Sequence, residues 1–177
     1  EPPFLLVLGG AHLDRDLSLL HRLSQKASAI FVGGVAAHTL LKSQGNELGQ
    51  SAVETKFIAG GRTLSELWGS KLHLPEDLVV STSPRSPDHE VVEAHRVPPD
   101  RMALDIGPKS REKLGKLVSQ AGTILWLGGI GFHKVPAFAH GTASLLQDLA
   151  DSSGFTMVAG SDTVGAAREV SESLSEF

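Results

Sequence analysis

The sequence predicts a three-layer α/β/α domain built on a parallel sheet, with helices on both faces. Three observations carry that expectation. Four apolar runs recur along the chain, at Phe4–Leu8, Ala29–Val32, Thr123–Leu127 and Phe155–Ala159. Continuous apolar runs of this length are the pattern of strands buried on both faces. Each run ends in glycine, and each glycine turn opens a helical pattern, the alternation that parallel strands require. The repeated glycine turns would then lie together at the carboxyl ends of the strands, where open α/β sheets bind ligands.

Taken in order, Phe4–Leu8 is the first strand, closed by Gly9-Gly10-Ala11. Leu17, Leu19, Leu20 and Leu23 share one side of a helix expected from about Asp14 to Lys26. Ala29–Val32 is the second strand, and Val35–Ser43 the next helix. A longer helix is expected over Val53–Leu67, weakened by Gly60-Gly61. Leu74-Pro75-Glu76 turns the chain into a strand at Asp77–Ser81, expected to be parallel and in the same sheet as the other four. Ser81–Asp88 is rich in Ser and Pro and reads as an exposed loop. Glu90–Glu93 reads as a short edge strand. Pro108 sits at a helix first turn, and Lys109–Gln120 continues it. Thr123–Leu127 is followed by a turn to Gly131 and a helix over Pro136–Leu149. Phe155–Ala159 leads through Gly160-Ser161-Asp162-Thr163 into a last helix to about Leu174.

The bulk composition bounds the function. A length of 177 residues suffices for one sizeable core, and 41% hydrophobic with 20% charged residues is ordinary for a soluble domain. A net charge of -4 gives no general attraction to nucleic acid or anionic membranes. With no cysteine there is no disulfide framework, thiolate metal site or thiol nucleophile. No apolar run approaches the roughly 20 residues of a membrane span. The expected setting is the cytoplasm or another intracellular compartment. Glu1-Pro2-Pro3 reads as the middle of a longer chain.

Backbone N–H groups at a glycine turn that opens a helix make an anion site, reinforced by the helix dipole. Gly160-Ser161-Asp162-Thr163 is the best local candidate. Asp162 reads as a helix cap, with a divalent cation bound to phosphates as the alternative. The other glycine turns fit tight strand-to-helix geometry as well as ligand binding, since none completes a G-x-G-x-x-G or P-loop pattern. The eight histidines show no metal spacing such as H-E-x-x-H; His12 follows a glycine turn, where it either faces a ligand or is solvated. Trp126 reads as core.

Together these motifs resemble the phosphoglycerate kinase family, specifically its C-terminal, nucleotide-binding domain. The likeness is carried by Leu8-Gly9-Gly10-Ala11, by Gly33-Gly34 with Thr39-Leu40-Leu41-Lys42 and Gly45, and by Leu74-Pro75 with Asp77. It continues through Leu104-Asp105-Ile106-Gly107-Pro108-Lys109, Trp126 with Gly128 and Gly131, Phe138-Ala139 with Gly141-Thr142, and Gly160 with Asp162-Thr163. The resemblance implies a Rossmann-like sheet of that family's C-terminal type. It implies transfer of a phosphoryl group between 1,3-bisphosphoglycerate and ADP, a glycolytic reaction, with a separate N-terminal domain holding the phosphoglycerate. Gly10, Ala11, Gly33, Gly34, Ala103, Leu104, Gly128 and Ile130 would surround the nucleoside. Gly160 and Thr163, at the helix N-terminus, would meet the phosphates, and Asp162 a magnesium ion carried by ADP or ATP.

The chain departs from the family pattern at the phosphate end. The family reads Gly-Gly-Ala-Lys with an Asp-Lys pair three residues on; here His12, Arg15 and Asp16 occupy or adjoin the lysine positions. The tryptophan turn has Leu127 for Asn and Gly129 for Pro. Lys134 replaces a ribose-contacting Glu, and Ser161 a glycine. The chain ends at Phe177, before the family's last glycine-rich phosphate loop, and lacks the N-terminal domain. At about 4 Å and an effective dielectric near 20, one charge pair amounts to about 4 kcal/mol. Phosphoryl transfer depends on positioning and electrostatics, so the expectation is a nucleotide-binding domain that is catalytically impaired, a pseudoenzyme, and inactive as this chain alone. The rival readings are the C-terminal half of a working kinase and a non-catalytic structural or interaction module. The expected partners are a nucleotide and a separate N-terminal domain, with no nucleic acid and no membrane.

Overall fold

In the computed structural model, residues 1–10 and 17–175 are described. Five strands form a parallel sheet: β1 (Phe4–Leu8), β2 (Ala29–Val32), β3 (Leu72–His73), β7 (Thr123–Leu127) and β8 (Phe155–Ala159), in the order β3-β2-β1-β7-β8. Three more form a separate antiparallel sheet: β4 (Asp77–Ser81), β5 (His89–Glu93) and β6 (Met102–Ile106), in the order β5-β4-β6. The helices are α1 (Leu17–Lys26), α2 (Gly34–Ser43), α3 (Ile58–Trp68), α4 (Pro108–Gln120), α5 (His140–Asp151) and α6 (Ser161–Ser175). Short 3₁₀ turns precede α3 at Thr55–Phe57 and α5 at Pro136–Phe138. The expected start of α1 at Asp14 lies outside the described residues.

The first strand shows why an unbroken apolar run is needed. Leu5 and Val7 point into one core with Phe31, Ile124, Trp126, Leu114 of α4 and Leu145 of α5. Leu6 and Leu8 point into the other, with Ile30, Val32, Leu20 of α1, Leu40 of α2 and Trp68 of α3. Side chains alternate across a strand, so a strand covered on both faces must be apolar at every position. β8 departs from that expectation. It is the sheet edge, and Phe155 and Met157 are 64% and 49% exposed.

The strand at Asp77–Ser81 corrects the expected sheet. It is fully buried but does not join the parallel layer; it pairs antiparallel with both β5 and β6. The fifth parallel strand is instead the two-residue β3, where Leu72 and His73 pair with Ile30 and Phe31. The reason lies in the connections. A parallel neighbour needs a crossover long enough for a helix, and neither residues 82–88 nor 94–101 form one. The chain can then only fold back on itself. The edge strand expected at Glu90–Glu93 is present as β5, and β6 is a further strand that was not expected.

Two buried carboxylates fasten this small sheet to the helices. Asp77 of β4 accepts hydrogen bonds from Lys109 N–H (3.0 Å), Ser110 N–H (2.8 Å) and the Ser110 hydroxyl (2.6 Å). It therefore caps α4 from outside the helix, satisfying donors that a helix start leaves unpaired. A Cβ on Gly107 would overlap the Asp77 carboxyl group, so the preceding residue has to be glycine. Asp105 of β6 does the same for α5, accepting from Gly141 N–H (2.8 Å) and from its own neighbour Ile106 N–H (2.9 Å). Burial pushes the Asp105 carboxyl up to about 7, against the downward pull of those N–H groups and of the Arg111 charge.

Both caps can be tested by denaturation. Asp77→Ala leaves the buried Ser110 N–H and the part-buried Lys109 N–H without acceptors and is expected to cost about 3 kcal/mol in urea unfolding. A loss below about 1 kcal/mol would mean that water reaches the start of α4. Asp105 makes a pH-dependent contribution. Its folded value lies above its unfolded one, so its share of stability is full below about 4 and is lost as pH rises to about 7. The stability of Asp105→Asn relative to the parent is therefore expected to rise between those limits and level off above about pH 8. Parallel pH curves for the two proteins would refute this.

Candidate functional site

The strand order reverses between β1 and β7, and their carboxyl ends carry the turns Gly9-Gly10 and Gly128-Gly129. The two backbones cross at closest approach there. A Cβ on Gly9 would overlap the Gly129 carbonyl oxygen, and one on Gly128 would overlap that of Gly9. Gly128 also has φ +88°, a left-handed conformation that glycine adopts without strain. Trp126, fully buried as expected, donates its indole N–H to the Gly128 carbonyl at 2.7 Å, and Gly128 N–H donates to the Thr163 hydroxyl at 2.7 Å. Strand, turn and the start of α6 are thereby tied together.

The N–H groups of these turns are occupied by the chain itself. Gly9 N–H donates to Leu127 O (2.7 Å) and Gly10 N–H to Gly129 O (2.8 Å). Gly33 N–H donates to Leu8 O (2.8 Å) and Gly34 N–H to Ile130 O (2.9 Å). These glycines serve close packing of backbone on backbone. They do not form a cradle of free donors for an anion.

Above this crossing opens a cleft of about 360 Å³ between the parallel sheet and the antiparallel one. Of the residues expected around a nucleoside, Gly10, Gly34, Ala103, Leu104 and Ile130 line it, and Asp162 lines it from the first turn of α6. Gly33, Gly128, Gly160 and Thr163 are not on its wall. Gly33 packs against Ile130, Gly128 against Gly9, and Thr163 is buried beneath the β7 turn. Ala11, His12, Arg15 and Asp16 lie outside the described residues.

The remaining wall is largely apolar: Val35 and Ala37 of α2, Ala52, Pro75, Leu78 of β4, Ile106 and Phe132. Its polar members are His38, Asp105, His133, Lys134 and Asp162. His133 Nε2 is 3.3 Å from a Glu169 carboxylate oxygen. Among the described lining residues, Lys134 carries the one permanent positive charge. Among the described residues no cluster of three or more His, Cys, Asp or Glu is placed to hold a metal ion.

His38, Asp105 and Phe132 also line the cleft, although none of them stands in a recognisable site motif. Asp105 was detectable as an acid inside the apolar strand Met102–Ile106, the pattern of a buried carboxylate with assigned partners. His38 lies on a helix face otherwise made of Ala36, Ala37, Leu40 and Leu41, and nothing in the sequence shows that this face borders a cleft.

A sequence model of the phosphoglycerate kinase family matches residues 1–175. The phosphoglycerate kinase of Mycolicibacterium gilvum (strain PYR-GCK) is 36% identical over 174 residues, covering 96% of this chain and 43% of that protein. The structure of phosphoglycerate kinase from Coxiella burnetii superposes with a TM-score of 0.91 at 32% identity, covering 98% of this chain and 46% of the other. That of Pyrococcus horikoshii OT3 shares the fold, with a TM-score of 0.82 at 21% identity over 96% of this chain and 44% of its own. The chain thus spans less than half the length of these relatives. No helix among the described residues is long and apolar enough to cross a membrane. Fold, glycine crossing and family match agree, and the chain belongs to the phosphoglycerate kinase family.

Proposed function

We propose that residues 1–177 form the C-terminal, nucleotide-binding half of a phosphoglycerate kinase-like protein, binding through the nucleoside and impaired at the phosphate end. The observation that carries this reading is the hydrogen bonding of the glycine turns. Their N–H groups at Gly9, Gly10, Gly33, Gly34 and Gly128 are all engaged within the chain. The cleft offers a flat apolar slot, walled by Gly10, Gly34, Ala103, Leu104 and Ile130, whose shape does not depend on charge. For phosphates it offers Lys134 and the start of α6, faced by the acids Asp105 and Asp162. A helix N-terminus contributes roughly 0.3–1 kcal/mol in exposed settings. That is small beside the charges that His12 and Asp16 replace in the family pattern. ADP or ATP with magnesium is the expected nucleotide, and the phosphoglycerate-binding part of the family lies outside these residues.

A working kinase half is the second reading, supported by Asp162, which borders the cleft where a nucleotide-borne magnesium would sit. Calorimetry of adenosine against MgATP separates the two. Adenosine is expected to bind within about tenfold of MgATP. MgATP tighter by more than that, a gap of roughly 1.4 kcal/mol, would overturn the impaired reading and support the working kinase. A complementary experiment restores the family's polar groups together, as His12→Lys, Asp16→Lys and Leu127→Asn. MgADP affinity is expected to rise by tenfold or more, since each restored charge acts close to a polyphosphate. No gain would place the loss elsewhere in the cleft.

A further inference from the structure

The loop between β4 and β5 reads Thr82-Ser83-Pro84-Arg85-Ser86-Pro87-Asp88, with serine before proline twice. Ser81 pairs with His89 across its base, so the loop is longer than the roughly two to five residues usual in hairpins. None of residues 82–88 lines the cleft. Proline lacks an N–H, fixes its own φ and drives the residue before it into extended backbone. An extended segment is what a protein kinase takes as acceptor. The two serines differ in how they are held. Ser83 is tied into the turn: its carbonyl accepts from the Ser81 hydroxyl (3.0 Å) and Ser86 N–H (3.2 Å), and its hydroxyl accepts from Arg85 N–H (3.3 Å). The Ser86 hydroxyl accepts from Asp88 N–H at 3.2 Å, and its neighbours Arg85, Pro87, Asp88 and His89 are exposed.

A cation stands beside this loop. Arg101, just before β6, brings Nη2 within 3.1 Å of an Asp88 carboxylate oxygen and Nε within 3.6 Å of Glu90, with its side chain 19% exposed. Its third nitrogen, Nη1, is buried and has no hydrogen-bond partner. A guanidinium is a planar fork of five donors that matches phosphate oxygens. The Ser86 hydroxyl is bonded to the N–H of the same Asp88 whose carboxylate holds Arg101. We propose that Ser86 is a phosphorylation site for a proline-directed serine/threonine kinase, and that Arg101 receives the phosphate. The γ-phosphoryl group of ATP passes to Ser86 Oγ, the hydroxyl proton passes to the kinase's catalytic base, and ADP leaves. The charged and titratable groups around the product are Arg85, Asp88 and His89, Glu90 of β5, and Arg101. A phosphoserine brings about −1.5 to −2 charge and three acceptor oxygens. It therefore competes with Asp88 for the guanidinium and pulls the loop onto Arg101.

The test incubates the full, folded chain with MgATP and a purified mitogen-activated protein kinase or a purified cyclin-dependent kinase, and locates phosphate by fragmentation mass spectrometry. Phosphate is expected at Ser86 about tenfold or more above Ser83, absent in Ser86→Ala and reduced about tenfold in Pro87→Ala. Phosphorus NMR then follows the second ionisation of the phosphoserine, ordinarily near about pH 6. In the folded chain it is expected about half a unit lower than in a phosphopeptide of residues 82–92, which holds the same loop charges without Arg101. In Arg101→Gln the difference is expected to vanish, and in Arg101→Lys to persist in part. The comparison with the peptide needs no variant, so it stands even if an Arg101 variant does not fold. No phosphate at Ser86 with either kinase overturns the proposal, as does phosphate that enters only a chain unfolded in urea. A phosphoserine that titrates as the peptide does, or keeps its shift in Arg101→Gln, overturns the role given to Arg101.

Discussion

The structure depends on the contact of two backbones, at Gly9 and Gly128, where β1 and β7 leave the parallel sheet side by side. No side chain fits between them: a methyl on either glycine would occupy the other strand's carbonyl oxygen. The approach sets the spacing of the turns that follow. It places Gly10 N–H on Gly129 O and Gly34 N–H on Ile130 O, so three strand ends are bonded to one another before any ligand is considered. Trp126 and Thr163 close on the same turn from opposite sides, one taking the Gly128 carbonyl and the other its N–H. A buried backbone group left without a partner costs free energy comparable to a lost hydrogen bond. That constraint explains why the glycines of this crossing are tied up in the fold.

The second constraint is how a three-stranded antiparallel sheet is held against a doubly wound layer it does not join. Its inner face packs apolar side chains, Leu78, Val80 and Ala103, against Leu41 and Leu48. The directional links are the two carboxylates. Asp77 reaches the start of α4 and Asp105 the start of α5, and both helices pack on the far face of the parallel sheet. Each acid is surrounded by glycine where a side chain would collide: Gly107 beside Asp77, and Gly131 and Gly141 beside Asp105. A carboxylate buried this way is tolerable only with its oxygens hydrogen-bonded. Asp105 and Gly131 also line the cleft, so one of the two links that orient the small sheet is part of its wall.

Much of this was legible in the sequence. The strands Phe4–Leu8, Ala29–Val32, Thr123–Leu127 and Phe155–Ala159 are marked by apolar runs and closing glycines, and those signals are local. The sheet to which Asp77–Ser81 belongs was not legible from its composition. A strand buried on both faces looks the same in either sheet, and only the short non-helical links on its far side distinguish them. The exposure of β8 was hidden for a similar reason, since Phe155 and Met157 are as apolar as any core residue and edge position is a property of the whole sheet. At the site, glycine signalled close approach without saying what approaches. Gly10 and Gly34 reach the cleft, whereas Gly33 and Gly128 face protein. His38 had no signal at all, because the cleft it borders is assembled from α2 and a sheet formed far along the chain.

The interactions that hold the fold are separate from the charges that border the cleft. The buried strands, the glycine crossing and the two capping aspartates use apolar contact and internal hydrogen bonds, and none of them uses a cation at the cleft. A change of charge at the cleft acts on the field felt by a ligand, whereas those interactions are internal to the fold. The ligand's two ends respond differently. Coulomb interactions with a polyphosphate change by several kcal/mol when a charge is reversed at about 4 Å, whereas burial of a nucleoside in an apolar slot is indifferent to that reversal.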